Sequence, residues 1–329
     1  MKTKLMVGLM LLASSAMAQF APPAGHEGTT AMHCDSSAFV AWATGCVVER
    51  GLQQINKPNY GNASYGTDSD GIGKANGLAV VSLGDGGKAV LTFDSPICNE
   101  AGPDFAVFEN AFEVNTQPGM FFLELAFVEV SSDGVNFFRF PAVSRVQTET
   151  QMGGFDSMDP CQIHNFAGKY ASLYGTPFDL DDIEDDALLN KMSITHVRVI
   201  DVIGNIDPQY ATYDSEGHPV NDPWPTPFAS SGFDLDAIGV IHDMAHSHGI
   251  NDVFAMDVRV SPNPTHGMLN ISAPEGAYCQ VFDLLGQSVA SEKVSASGLH
   301  VDMTHFDSGI YFVRTAHQGK VSITKVVKQ

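Results

Sequence analysis

Hydrophobic and polar positions alternate in short runs along most of this chain, and clusters of Gly, Pro, Asn and Asp separate the runs. Alternation with period two buries one face of a strand, whereas an amphipathic helix needs apolar residues three and four apart. The pattern predicts strands over 78–83, 88–93, 105–108, 121–131, 137–141, 196–202 and 233–241. Strands so short and so regularly punctuated point to an all-β sandwich. The run 121–131 enters Ser132-Asp133-Gly134 and leaves through Val135-Asn136-Phe137-Phe138, which reads as a hairpin. One helix is expected within 36–54, and a short helical turn within the acidic stretch 179–190.

The first eighteen residues follow a different logic. Lys2 and Lys4 precede an apolar run over 5–13, and Ala16-Met17-Ala18 supplies small residues, so a signal peptide over 1–18 with cleavage after Ala18 is expected. A membrane span needs about 20 apolar residues; this run is shorter and no later one comes close, so no transmembrane segment is expected. No Cys follows the cleavage point, which argues against a lipoprotein anchor.

Charge divides the remainder. Residues 19–251 hold 31 acids against nine bases, while residues from 252 onward hold seven acids and six bases. The expected organisation is a cargo domain over 19–241, a linker over 242–253 and a second domain over 254–329. A field so negative disfavours nucleic acid and anionic membranes and suits divalent cations, although it also serves plain solubility. Cys34, Cys46, Cys98 and Cys161 are disulfide candidates in an oxidising compartment, Cys34 with Cys46 and Cys98 with Cys161 being one of three pairings. Cys279 is left over. No CxxC spacing suggests a zinc or redox site.

Near the C-terminus the chain reads Val258-Arg259-Val260-Ser261-Pro262-Asn263-Pro264-Thr265, then Val281-Phe282-Asp283-Leu284-Leu285-Gly286-Gln287, then Phe306-Asp307-Ser308-Gly309-Ile310-Tyr311, and it closes on Lys325-Val326-Val327-Lys328. Residues 254–329 resemble the type A sorting domain of the type IX secretion system of Bacteroidota. That resemblance implies a small immunoglobulin-like β-sandwich that addresses its cargo to the type IX machinery, with no activity of its own. It also implies cleavage as the cargo is released or joined to surface lipopolysaccharide, hence a secreted or cell-surface location outside the outer membrane.

In the acidic part, Val128-Glu129-Val130-Ser131-Ser132-Asp133-Gly134-Val135-Asn136-Phe137 and the later Val197-Arg198-Val199-Ile200-Asp201-Val202 resemble the hairpin and a strand of discoidin-type, galactose-binding-like jelly rolls. Gly102-Pro103-Asp104-Phe105 through Asn110 and Gly232-Phe233-Asp234-Leu235-Asp236-Ala237-Ile238-Gly239 resemble a less characterised group of bacterial cell-surface proteins. The two resemblances imply a jelly-roll cargo domain at the cell surface and no particular reaction.

Several acids fall on strands. Asp201 continues the face of Val197 and Val199, and Asp234 and Asp236 share that of Ile238 and Val240. A buried carboxylate needs a hydrogen bond, an Arg or a metal, and Ca²⁺ takes about six to eight oxygens. Asp104, Glu109, Asp201, Asp234 and Asp236 are therefore the candidate metal ligands and Ca²⁺ the candidate cofactor. The plainer alternative has Asp234 bonding backbone amides and Asp236 pairing with Arg198.

Trp224, stiffened by Pro223, Pro225 and Pro227, with Tyr210, Tyr213 and Asn110, forms the candidate ligand-binding set, since a displayed aromatic stacks on sugar rings. Burial of Trp224 as a cap on the core is the competing expectation. His242, His246 and His248 suggest no more than incidental metal binding. Enzyme signatures with a local pattern are missing: no Gly-x-Ser-x-Gly, HExxH or phosphate loop occurs, and Glu124 and Glu129 are expected on opposite faces of one strand. The preferred expectation is a non-catalytic surface module that binds an extracellular glycan or protein ligand. A hydrolase with a carboxylate pair from distant segments and a structural or adhesive component are the alternatives.

Overall fold

A computed structural model describes residues 20–246, 258–317 and 320–329. The expected signal peptide with Ala18, most of the expected linker and His248 lie outside the described residues. The chain divides into two compact units, Met1–Ser247 and His248–Gln329.

The first unit is a β-sandwich. One antiparallel sheet orders its strands as Phe138–Arg139, Ala126–Ser131, Ile194–Asp201, Lys88–Ile97 and Gly45–Glu49. The other runs Met32–His33, Tyr174–Phe178, Phe105–Glu109, Asp234–Val240 and Ala41–Trp42, with Val81–Ser82 also paired to Asp234–Val240. Alternation explains the core: Val128, Val130, Val197 and Val199 from the first sheet meet Phe105, Val107, Ile238 and Val240 from the second, all fully buried. Each such side chain contributes about 1.5–3 kcal/mol through the area it removes from water. A second cluster, with Leu123, Leu125, Phe127, Met158 and Phe166, lies on the opposite face of the strand Ala126–Ser131.

The expected hairpin forms, with Phe138 opposite Val130. Asp133 closes its turn by accepting from the backbone N–H groups of Val135 and Asn136, both at 2.8 Å. The helix expected within 36–54 does not form. Ala41–Trp42 and Gly45–Glu49 are strands instead, because Cys46 and Val48 pack inward while Val47 between them is 70% exposed, a period of two. The acidic stretch does hold a 3-10 turn, Leu180–Asp182.

Neither expected disulfide is present. Cys34 packs with Ala106, Phe108 and Ala237 on the outer face of the larger sheet, whereas Cys46 belongs to the other sheet and packs against the central core. Cys161 sits in a 3-10 turn whose Asp159 cap accepts from its N–H, and Cys98 follows the strand Lys88–Ile97.

The second unit stacks a three-stranded sheet (Arg259–Ser261, Met268–Ser272, Leu299–Asp302) on a four-stranded one (Ser288–Lys293, Tyr278–Phe282, Gly309–His317, Lys320–Lys328) around Leu269, Ile271, Val281, Val313 and Val326. Its sequence motifs are structural clamps. Asn263 donates to the Lys325 carbonyl at 2.7 Å and accepts from the Val327 N–H at 2.9 Å, so the Pro-Asn-Pro segment pins the last strand. Asp283 accepts from Leu285 and Gln287 N–H groups to shape the Leu-Leu-Gly turn, and the Tyr311 hydroxyl donates to the Asp307 carbonyl at 2.9 Å.

Candidate functional site

The five expected metal ligands are not gathered. Asp104 lies at the start of Phe105–Glu109, where it accepts from Glu100 and Leu180 N–H groups and contacts His242 Nδ1 at 2.9 Å. Asp236 is turned away by a register shift between Leu235 and Ala237, which breaks the alternation assumed from the sequence. It accepts from the N–H groups of Asn76 and Gly77 and makes no pair with Arg198. Arg198 instead joins Arg139 on Glu129, and its guanidinium lies 3.8 Å from the Phe137 ring centre.

Glu109, Asp201 and Asp234 do lie at a common end of the sandwich, where Phe105–Glu109, Lys88–Ile97 and Asp234–Val240 begin or finish. Asp85, Glu124 and Asp222 join them, and all six are buried. Glu124 precedes the strand Ala126–Ser131 and so does not share it with Glu129. Protein donors serve most of them. Asp201 accepts from Gly86 and Phe233 N–H groups at 2.9 and 2.7 Å, and Asp222 from Leu125 N–H at 2.7 Å. Asp234 accepts from the Ser82 hydroxyl and from Asn110 Nδ2. Glu109 accepts from Ala111 N–H through one oxygen, while its Oε1 is buried without a partner. Burial raises Asp85 and Asp234 to about 6 and lifts Glu109, Glu124, Asp201 and Asp222 well above their ordinary values, reinforced for these last four by neighbouring acids. Among the described residues no three of these acids bring their oxygens within reach of a single ion; elsewhere a ring nitrogen of His33, the sulfur of Cys34 and a carboxylate oxygen of Asp35 lie that close together.

Trp224 is buried, and its Nε1 donates to Asp85 at 3.0 Å, so it closes the sandwich instead of standing out from a loop. Tyr213 is exposed, Tyr210 half-buried, and Asn110 is taken up by Asp234.

Display falls to four phenylalanines that sequence reasoning missed. Phe112 and Phe122 face each other across the ribbon Phe112–Glu113 and Phe121–Phe122, with ring centres 5.2 Å apart and planes at 17°. Phe155 follows at 6.5 Å from Phe122, and Phe228 at 5.9 Å from Phe155. Phe155 is 77% exposed, and Phe112 and Phe228 are about half exposed. Local chemistry holds them out. Asp156 accepts from Gly153 N–H and donates its own N–H to the Gly153 carbonyl, a tight turn with Phe155 at its tip. That loop is tied to the ribbon through paired Phe121 and Met158 backbone bonds and through Ser157, which donates to Gln117. Beside the row runs an open cleft of about 780 Å³ lined by Phe155 and by polar Gln117, Arg145, Gln147 and Asp156.

Comparison with known proteins identifies the second unit. Residues 259–329 match the family described as secretion system C-terminal sorting domain. This is a secreted or surface protein. The ulvan lyase NLR42 of Nonlabens ulvanivorans is 42% identical over 77 residues, which cover 21% of this chain and 14% of that protein. The matched length is comparable with the sorting domain. Among solved structures, native alpha-2-macroglobulin from Escherichia coli, domains NIE-MG1, has a TM-score of 0.18 at 13% identity, covering 84% of this chain and 96% of that one. The BSP domain of a biofilm associated protein gives 0.19 at 10%, covering 89% and 53%, and Ruminococcus gnavus beta-glucuronidase 0.18 at 9%, covering 74% and 35%. Similarities so slight transfer neither fold nor function.

Proposed function

We propose that the first unit is a non-catalytic glycan-binding module carried to the cell surface by the sorting domain. The row Phe112, Phe122, Phe155 and Phe228 carries this reading. Exposed aromatics cost solvation, and a contiguous patch of them on a secreted protein is kept for contact. Flat rings stack on the apolar faces of sugars, while Gln117, Gln147 and Asp156 in the adjoining cleft offer donors and acceptors for hydroxyl groups. The test is calorimetry of the full chain against neutral, uronate-bearing and sulfated polysaccharides, beside a Phe112→Ala/Phe155→Ala variant. Saturable binding lost in the variant supports the reading; no binding to any of them, or binding unaffected by the variant, overturns it.

An enzyme that cleaves polysaccharide is the second reading, favoured by the six acids gathered at one end of the sandwich, which hold carboxylates enough for an acid–base pair. Release of unsaturated or reducing ends from the same panel would establish it over the first. Calcium belongs to either reading as a proposal for the buried acidic end. Glu109 Oε1 lacks a partner there, and an ion would have to draw neighbouring carboxylates together. A melting temperature raised by calcium and lowered by chelator is its test.

A further inference from the structure

We propose a second binding site, separate from the phenylalanine row, in the pocket over Lys169 and Thr176, and assign it to a small uncharged ring compound with an acceptor oxygen. The pocket holds about 520 Å³, within the range of pockets for small molecules. Its walls are apolar: Phe20, Met32, Pro103 and Pro177 line it. Phe20 is held in place by stacking on His164, ring centres 4.9 Å apart, and by donating its N–H to the Cys161 carbonyl at 2.9 Å.

The polar groups in this apolar surround are under-used, and that is what calls for a ligand. Thr176 is buried on the strand Tyr174–Phe178, and its Oγ1 has no hydrogen-bond partner. An unmet buried hydroxyl costs about 1–3 kcal/mol, so a site that keeps one has a use for it. Lys169 is equally buried; of its three N–H donors one goes to the Ile163 carbonyl at 2.7 Å, and the ammonium lies 5.3 Å from the Tyr170 ring centre. Burial lowers its pKa to about 8, so it remains a donor at neutral pH. Asn165 sits at φ 52°, a conformation that favours glycine, and its Nδ2 donates to Asp182 at 3.0 Å. Backbone held off its preferred region concentrates where a site must be shaped.

Charge selects among ligands that fit. Asp179 and Asp182 also line the pocket, so an anion drawn to Lys169 would meet two carboxylates. A neutral carbonyl avoids them; it would accept from Lys169 and, with a shift of the wall that opens the closed Thr176 Oγ1, from that hydroxyl as well, while its ring lies against Phe20, Met32 and the prolines.

Coumarin, a flat neutral lactone, is the probe, with coumarin-3-carboxylate as its charged counterpart, titrated against the full chain by saturation-transfer NMR. The decisive variant is Thr176→Val, which keeps shape and removes a hydroxyl that bonds to nothing in the protein. Its melting temperature is expected to match or exceed that of the parent, while coumarin binding weakens about fivefold to tenfold, the weight of one hydrogen bond. Met32→Trp, which fills the pocket, is expected to abolish binding. The proposal is overturned if coumarin shows no saturable binding, if Thr176→Val binds as the parent does, or if the carboxylate binds more tightly than coumarin.

Discussion

The indole N–H of Trp224 and the carboxylate of Asp85 meet at 3.0 Å inside the protein, 139 residues apart in the chain. Asp85 accepts at the same time from the Ile55 N–H at 2.7 Å, so one buried acid ties three loops together. Trp224→Phe keeps most of the apolar volume and removes the donor, and should cost about 1–3 kcal/mol. Trp224→Ala should cost about 3–5 kcal/mol. Thermal denaturation measures both. A variant as stable as the parent that has lost glycan binding would return Trp224 to the role of a displayed contact.

Six buried acids make stability fall as pH rises. In the unfolded chain these groups ionise near pH 4. Folded, Asp85 and Asp234 hold their protons to about 6, and burial lifts Glu109, Glu124, Asp201 and Asp222 well above their ordinary values. Their contribution is therefore complete below about pH 4, where both states are protonated, and is lost as pH climbs through the folded values, because the unfolded chain then binds fewer protons. The first unit should melt at a higher temperature at pH 5 than at pH 8. A flat or opposite profile would show these acids to be ionised when folded.

Part of this arrangement was readable from the sequence, and the boundary has physical causes. Val197 and Val199 betray their strand because a single face is buried, and Ser131-Ser132-Asp133-Gly134 betrays its turn because Asp133 acts on N–H groups two and three residues away. Those are local effects. Two-residue periodicity puts Asp234 and Asp236 on one face only while it runs unbroken, and a bulge leaves no mark in residue type. The prolines around Trp224 suggest display, but its fate is decided by a distant acid. Phe112 and Phe122 share one ribbon but Phe155 and Phe228 come from distant loops, so no short window of sequence contains all four.

Glu129 draws two guanidiniums to one strand face. Its side chain is buried, and Arg139 and Arg198 bond to it from either side, Arg139 through Nε at 2.9 Å. Removing the acid by Glu129→Ala leaves the partly buried Arg198 without its partner and releases the exposed Arg139, and should cost about 1.5–3 kcal/mol in chemical denaturation. Arg139→Ala, which removes the more exposed partner, should cost clearly less. Equal losses would mean that apolar packing of the arginine stems, not charge, holds the face.

The Asn263 clamp gives the sorting domain a point of failure away from its core. Deleting residues 259–329 should leave the protein inside the outer membrane, as cell fractionation would detect. Asn263→Ala removes both bonds to the last strand, about 1–2 kcal/mol at a solvent-exposed site, and should reduce the exported fraction without abolishing it. Export unchanged by the deletion would show that delivery does not depend on this domain.

Phe155 owes its position to the residue before it. A β-carbon added at Gly154 would stand 2.1 Å from the Pro225 carbonyl oxygen, so any side chain there forces the two loops apart. The most exposed ring of the row is thus mounted on the segment that follows Trp224. Gly154→Ala offers a way to dismantle the ring's footing while every aromatic residue stays in the sequence.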